Sequence, residues 1–291
     1  MNASTSWRDI YQIMSGTEPF LPSGYQHLPT PLAVCSLYLW ALLFCTSMHF
    51  LSQVVLPRSI VIYALDFFKT MAFCTYPFGH ALMRKSYGPI GFYVGNVSIN
   101  IVTANIMKKG AASPIGNFDN YLSKTVSLPV VCIRLLAQIA AGFAAFRLGL
   151  FLFHLDLHPL FTEKLMSIDC DTDLKVSVLF GFLFETVGVL YDCWLASQNL
   201  SRVGLLEQFI KFSNSAMLVN LGWSWTGAYL HPAMASGFTY GCKGTASLVH
   251  ILVYWVGPFI GCYGALHLNQ RFSLPTMKTK LKNGPVKNKA D

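Results

Sequence analysis

Seven long apolar stretches constrain the fold of this chain more than any other feature of its sequence. Each approaches the roughly 20 residues that a helix needs to cross the hydrocarbon core of a bilayer. Only 12% of the 291 residues are charged, whereas about a quarter are charged in a typical soluble domain. The pattern therefore predicts an all-α membrane protein. The predicted spans are residues 31–56, 59–82, 88–107, 127–153, 175–196, 206–223 and 246–268.

Two shorter segments do not fit the spanning pattern. One follows the third apolar stretch and contains Ser113-Pro114, and the other follows the sixth and contains His231-Pro232. Each has small residues, then a residue in the N-cap position, then proline at the first helical position, which is typical of the start of a helix. Because neither segment is long enough to cross a bilayer, we predict two short re-entrant half-helices.

The two short segments belong to a repeated plan. Asp66 lies 47 residues before Ser113, and Glu185 lies 46 residues before His231, each acid inside an apolar stretch. This regular spacing indicates a duplication. Each repeat contains three spans, an odd number, so the second repeat enters the membrane with inverted topology. The repeats cover about residues 59–153 and 175–268.

An inverted repeat of this kind predicts a pore. Gly/Pro-interrupted segments that enter from opposite faces meet near the midplane, where non-helical backbone is tolerated only beside an enclosed or watery cavity. Two helix N-termini that face each other oppose cations and protons. We expect passive flow of small neutral molecules, with no catalysis, no cofactor and no metal. A coupled transporter or membrane enzyme would instead show saturable or ion-dependent activity.

Charge is distributed unevenly between the predicted loops. Residues 271–291 carry five lysines and one arginine, and no aromatic residue separates the lysines. Such a tail is typical of the cytosolic face and gives poor support for nucleic-acid binding. Residues 154–174 carry five acids and one lysine, which favours the non-cytosolic side. Cys170 and Cys242 lie in loops predicted on that side, but their spacing does not decide whether they pair.

The motifs around the second short segment resemble those of one family. The Thr-Gly-Ala of residues 226–228, the His-Pro-Ala of residues 231–233 and the Val-Tyr-Trp of residues 253–255 resemble the aquaporins, the major intrinsic proteins. Residues 134–138 resemble the third core span of the unorthodox, aquaporin-11-like branch. The resemblance implies six core spanning helices and two half-helices, assembled as a homotetramer.

The resemblance also implies a division of the chain into three parts. These are an N-terminal segment with an extra span (1–58), a channel domain (59–268) and a basic cytosolic tail (269–291). Lys287 and Lys289 form a Lys-x-Lys-x-x ending, which resembles the retrieval signal of endoplasmic-reticulum membrane proteins. We therefore expect an intracellular membrane, with the plasma membrane as the alternative.

The expected pore residues depart from the family pattern. The family signature is a paired Asn-Pro-Ala, and here Ser113 and His231 replace the asparagines while Ile115 replaces the first alanine. Met234 occupies the position at which ordinary members place a filter arginine. The implied pore motifs are Ser113, Pro114, Ile115, His231, Pro232 and Ala233, and the implied filter is Val219, Ala228, Met234 and Tyr93. An apolar filter favours glycerol or hydrogen peroxide beside water.

Three intramembrane charges are expected to be structural. The resemblance implies that Asp66 and Glu185 brace the two pore loops. Lys69 lies three residues after Asp66 on the same helix, so we expect an internal ion pair between them. His231 is expected to be a neutral lining group, because two facing helix N-termini disfavour its protonated form. A non-conducting scaffold of the same fold is the alternative function, because both signature asparagines are replaced.

Overall fold

A computed structural model describes residues 27–166, 170–272 and 274, and helices dominate this part of the chain. The basic tail from residue 275 onward, with Lys287 and Lys289, lies outside the described residues, as do residues 1–26. The helices are α1 (Thr30–Val55), α2 (Val61–Thr75), α3 (Pro77–Ile106), α4 (Pro114–Leu122), α5 (Leu128–Phe153), α6 (Pro159–Met166), α7 (Val178–Ser197), α8 (Gly204–Thr226), α9 (Pro232–Thr239), α10 (Ser247–Ile251) and, after a π-helical turn (Leu252–Val256), α11 (Gly257–Arg271).

Four segments of the described chain are long and apolar enough to cross a membrane. They are Thr30–Val55, Leu128–Phe153, Val178–Ser197 and Ser247–Arg271. The all-α membrane fold expected from the sequence is therefore confirmed. The other three predicted spans coincide with α2 and α3, which together supply two of them, and with α8.

Helix α3 is a hairpin of two antiparallel arms. Gly88 adopts a φ of 65°, which glycine tolerates, and Pro89 starts the second arm. The rings of His80 and Phe92 lie 5.5 Å apart, although twelve residues of continuous helix would separate them by about 18 Å. At the other end Tyr76 keeps helical angles, so α2 runs on into the first arm. The second predicted span therefore extends to the turn at Gly88, beyond the residue 82 expected from the sequence.

The two repeats pack in the same way. Helix α2 packs on α5 in the first repeat, α7 packs on α11 in the second, and α3 meets α8 between them. Small residues allow the closest approaches: a Cβ added to Gly261 would lie 2.3 Å from the Thr186 carbonyl oxygen. Helix α1 packs outside this bundle against α2 and α3, and exposes Trp40 and Phe44 as expected of a lipid-facing surface.

A disulfide joins Cys170 to Cys242, a pairing that the sequence left open. It ties the segment before α7 to the segment after α9. An isolated β-bridge between Asp171 and Lys243 lies beside it. The disulfide therefore links these two segments covalently, on the side of the membrane that the charge distribution predicts to be non-cytosolic.

Candidate pore

The two half-helices begin where the sequence predicts them, at Pro114 and Pro232. The Ser113 hydroxyl accepts a hydrogen bond from the Ile115 amide (3.3 Å) and caps α4. His231 Nδ1 accepts from the Met234 amide (3.2 Å) and caps α9. Both prolines are buried, so the two starts lie inside the bundle.

His231 joins the two half-helices. Its Nε2 donates to the carbonyl oxygen of Ala112, the residue before the N-cap of α4, at 2.9 Å. Because Nδ1 already accepts from Met234, the single ring proton resides on Nε2. The two bonds therefore fix a neutral imidazole between the loops, in agreement with the state expected from the sequence.

The first pore loop is held by a buried network around Asp66. This carboxylate accepts from the Ala111 amide (2.7 Å) and the Asn117 side chain (2.9 Å). Arg134 completes the network with two bonds of 2.5 and 2.9 Å. All three side chains are buried. The Arg134 guanidinium, which makes two hydrogen bonds, therefore compensates the negative charge of Asp66 away from water. Asn117 is thus turned into the protein.

Lys69 is not the ion-pair partner that the sequence suggested. Its Nζ donates to the Gly110 carbonyl oxygen at 2.9 Å, while Asp66 pairs with Arg134. The prediction of an Asp66–Lys69 pair is therefore wrong. The i,i+3 spacing brings the two side chains near each other, but a planar guanidinium from α5 matches both carboxylate oxygens at once.

The second pore loop is held by Glu185 without a cation. Its carboxylate accepts from the Thr226 hydroxyl (2.7 Å) and from the amides of Tyr229 (3.2 Å) and Leu230 (2.9 Å). Thr226 is itself held through its carbonyl oxygen by the hydroxyl of Tyr254 (2.8 Å). Neutral donors alone therefore satisfy this buried carboxylate within the described chain.

The loop carbonyl groups differ between the repeats. In the first loop, Gly110, Ala111 and Ala112 all accept hydrogen bonds, from Lys69, from Gln138 with Thr70, and from His231. In the second loop, the peptides that donate to Glu185 carry the carbonyls of Ala228 and Tyr229. Since N–H and C=O point in opposite directions in a trans peptide, these two oxygens face away from α7, and no described residue bonds to them.

A cavity of about 850 Å³ runs along both loops. Residues 112 and 113 line it from the first loop, and residues 227–231 from the second. Because the N-terminal ends of α4 and α9 meet at its centre, their C-terminal ends point to its opposite ends. Asp119 and Ser123 open the end beyond α4, and Phe238 lies at the end beyond α9.

The two ends of the cavity differ in chemistry. The end beyond α4 is polar, and the end beyond α9 is aromatic, with Phe238 centred 5.1 Å from Phe78 and 5.7 Å from Phe146. The polar set includes Asn100, Asp119, Ser123, Asp192, Ser215 and Asn269, and the aromatic set includes Phe78, Phe92, Phe146, Phe153, Trp223, Tyr229 and Phe238.

Comparison with known proteins identifies this architecture. No protein-family model matches the sequence. The chain is 22% identical to Aquaporin-11 of Milnesium tardigradum over 79% of its own length and 84% of the relative. It is 30% identical to Putative aquaporin-12A of Homo sapiens, an alignment that spans only 55% of each protein. The fold matches the aquaglyceroporin from Plasmodium falciparum with a TM-score of 0.54 and 12% identity, covering 72% of this chain and 96% of that structure.

The chain is similar to the aquaporins in sequence and in fold. Its sequence relatives are members of the unorthodox branch, the branch that the altered Asn-Pro-Ala motifs resemble. The solved structure supports the fold alone, because the identity is low.

Three of the four expected filter residues line the cavity. These are Val219, Ala228 and Met234. Tyr93 does not lie among the described lining residues: its hydroxyl bonds to Ser213 (2.7 Å) between α3 and α8. The neighbouring Phe92 faces the cavity instead, because one residue along a helix turns the side chain by about 100°.

The sequence patterns did not predict some of the residues that line or support this cavity. His80 lines the aromatic end, and Trp223 lies there too with the Arg84 guanidinium stacked 4.9 Å from its ring centre. The family spacing gives no signal for either. Arg134 was noted only as part of a family-like motif, and its bond to Asp66 follows from the packing of α5 on α2.

Proposed function

We propose that this aquaporin is a passive channel for water and for small neutral solutes, hydrogen peroxide and glycerol. The observation that carries the proposal is the meeting of the two half-helix starts through His231 and Ala112, within one cavity of about 850 Å³. Both helix N-termini direct their dipoles at this point, which disfavours cations.

The chemistry of the lining supports this solute class. Val219, Ala228 and Met234 supply an apolar filter without the usual arginine. The Ala228 and Tyr229 carbonyls add hydrogen-bond acceptors on one side. We propose that Ser113 to Ile115 and His231 to Ala233 line the midplane, and that Asp66, Lys69 and Glu185 hold the loops. A molecule that carries hydroxyl groups on an otherwise small carbon frame suits such a surface.

We propose residues 59–268 as the channel domain, after an N-terminal segment 1–58 and before a cytosolic tail 269–291, in a homotetramer. We propose an intracellular membrane, such as that of the endoplasmic reticulum, as its location. The Cys170–Cys242 disulfide supports a lumenal side, because disulfides persist in oxidising compartments. Delivery of the intact chain to the plasma membrane would contradict the intracellular site.

One observation favours a second candidate, the non-conducting scaffold. The first loop uses its carbonyl groups on Lys69, Gln138 and His231, so a passing solute finds fewer acceptors there. A scaffold would leave solute flux in liposomes at the level of empty vesicles.

Stopped-flow light scattering on proteoliposomes separates the two candidates. The channel predicts water, glycerol and peroxide flux that is linear in the gradient. Met234→Arg adds a long cation to the apolar filter, so glycerol flux should fall by roughly tenfold if the barrier rises by about 1.4 kcal/mol. Met234→Leu keeps the size and polarity and serves as the control. Equal glycerol flux in the two variants would contradict the filter assignment.

A further inference from the structure

His80 is a polar side chain at the aromatic end of the cavity, which Asp173 also lines. It belongs to the first arm of α3 and lines the cavity, although the side chain as a whole is only 3% exposed. Its ring stands edge-on to Phe92 at 5.5 Å, and Phe92 lies 5.4 Å from Trp223. The spacing of the family's filter residues does not predict a role for His80.

Helix α1, which lies outside the repeats, holds the His80 ring. The Tyr38 hydroxyl is 2.5 Å from His80 Nδ1, and both side chains are buried. A Cβ added to Gly95 would lie 3.0 Å from the Tyr38 hydroxyl oxygen and 3.8 Å from His80 Nδ1. Nδ1 therefore faces the contact between α1 and α3. Gly95 leaves just the space that this contact needs.

The tautomer of His80 follows from hydrogen-bond accounting. The Tyr38 hydroxyl has no second acceptor within the described chain, so its proton is satisfied only if it is donated to Nδ1. Leaving a buried hydroxyl proton unpaired would be unfavourable. A ring that accepts at Nδ1 carries its proton on Nε2.

The other ring nitrogen is directed to the cavity. No described residue bonds to His80 Nε2. This nitrogen is not one of the fully buried side-chain atoms that lack a hydrogen-bond partner in the described chain. It is therefore accessible, and the cavity is the space that His80 lines.

We propose that the Nε2–H group of His80 is a solute-binding donor, and that Tyr38 of α1 sets its tautomer. The ligand is a small neutral molecule that offers a hydroxyl oxygen. The inference rests on the proposed channel function and names a subsite within it. The donor complements the free carbonyls of Ala228 and Tyr229, so the aromatic end offers both partners that a hydroxyl group requires.

A matched pair of variants tests the donor. Gln and Met have the same length, but only Gln retains an N–H near the position of Nε2. We expect glycerol flux through His80→Met to be about fivefold below that through His80→Gln, the effect of one net hydrogen bond. Equal flux through the two variants would overturn the subsite while leaving the channel intact.

A second pair tests the role of α1. Tyr38→Phe removes the hydroxyl that fixes the tautomer, and we expect glycerol flux to fall about twofold, because a weakened donor loses part of one hydrogen bond. Tyr76→Phe is the control: Tyr76 is also buried, its hydroxyl bonds to Thr103 at 2.8 Å, and it does not lie among the described lining residues. Flux that falls equally in both variants would overturn the positioning role of Tyr38.

Nitrogen NMR of histidine-labelled protein in bilayers gives a readout that does not depend on flux. The His80 signals are those lost in His80→Gln. We expect the proton on Nε2 and a shift of the Nε2 resonance when glycerol is added. A proton on Nδ1, or no response to glycerol, would overturn the subsite. A normal response in a protein that conducts nothing would instead contradict the proposed function.

Discussion

The loops before Ser113 and before His231 occupy equivalent places in the two repeats, yet their backbone groups have different hydrogen-bond partners. Asp66 holds the first through an ion pair with Arg134 and an amide from Asn117. Glu185 holds the second through neutral donors only. The duplication thus kept the place of the acid and changed its partners. Side chains bond to the carbonyl oxygens of the first loop, whereas no described residue bonds to those of Ala228 and Tyr229 in the second.

Backbone conformation follows the same division. Gly227, Ala228 and Leu230 all have positive φ, of 76°, 46° and 48°, in the second loop. Two of these are not glycine, and such conformations cost about 1–3 kcal/mol each. In the first loop only Gly110 is left-handed, at 80°. Strain is therefore concentrated in the loop whose Ala228 and Tyr229 carbonyls have no described partner, and the bonds to Glu185 hold it in place.

Removing Arg134 should have the largest effect. Arg134→Met leaves the Asp66 carboxylate buried beside neutral donors only, so we expect a loss of about 3–5 kcal/mol in the free energy of unfolding. Thermal and denaturant unfolding in detergent micelles measure it. Arg147→Met, an exposed arginine on the same helix, is the control. If the two variants are equally stable, the first loop does not depend on its ion pair.

Loss of the disulfide should affect mainly the second repeat. Cys170→Ser opens the covalent link across 72 residues, and we expect a loss of about 2–4 kcal/mol. Hydrogen exchange should rise around α9 and remain unchanged around α4. Cys132→Ser, a free exposed cysteine, is the control. Faster exchange around both half-helices would show that the repeats are not braced independently.

A smaller effect is expected at the contact between α9 and α5. A Cβ on Gly142 would lie 2.1 Å from the Ala233 carbonyl oxygen, so Gly142→Ala should cost about 1–3 kcal/mol through overpacking. On the other half-helix, a Cβ on Gly116 meets only Ala111, at 3.8 Å. Gly116→Ala should therefore be neutral or slightly stabilising. The same unfolding measurement compares them, and equal stability would contradict the tight contact of α9.

Local sequence rules predicted the elements well. The X-Pro steps located both half-helix starts, because N-cap and proline preferences act within one turn. Local rules cannot predict which residues far apart in the sequence contact each other. Helical spacing suggested Lys69 for Asp66, whereas Arg134 lies 68 residues away and is brought there by packing. Family spacing gave Tyr93 where Phe92 faces the cavity, and the Cys170–Cys242 pairing has no local signal.

Solvent access to the two half-helices tests whether both line one path from opposite faces. Gly116→Cys and Met234→Cys place thiols on the lining of α4 and α9. Each is treated with a membrane-impermeant thiol reagent in sealed, singly oriented vesicles, and modified residues are located by mass spectrometry. We expect the first thiol to react from one face and the second from the other. Reaction of both thiols from the same face, or of neither, would contradict it.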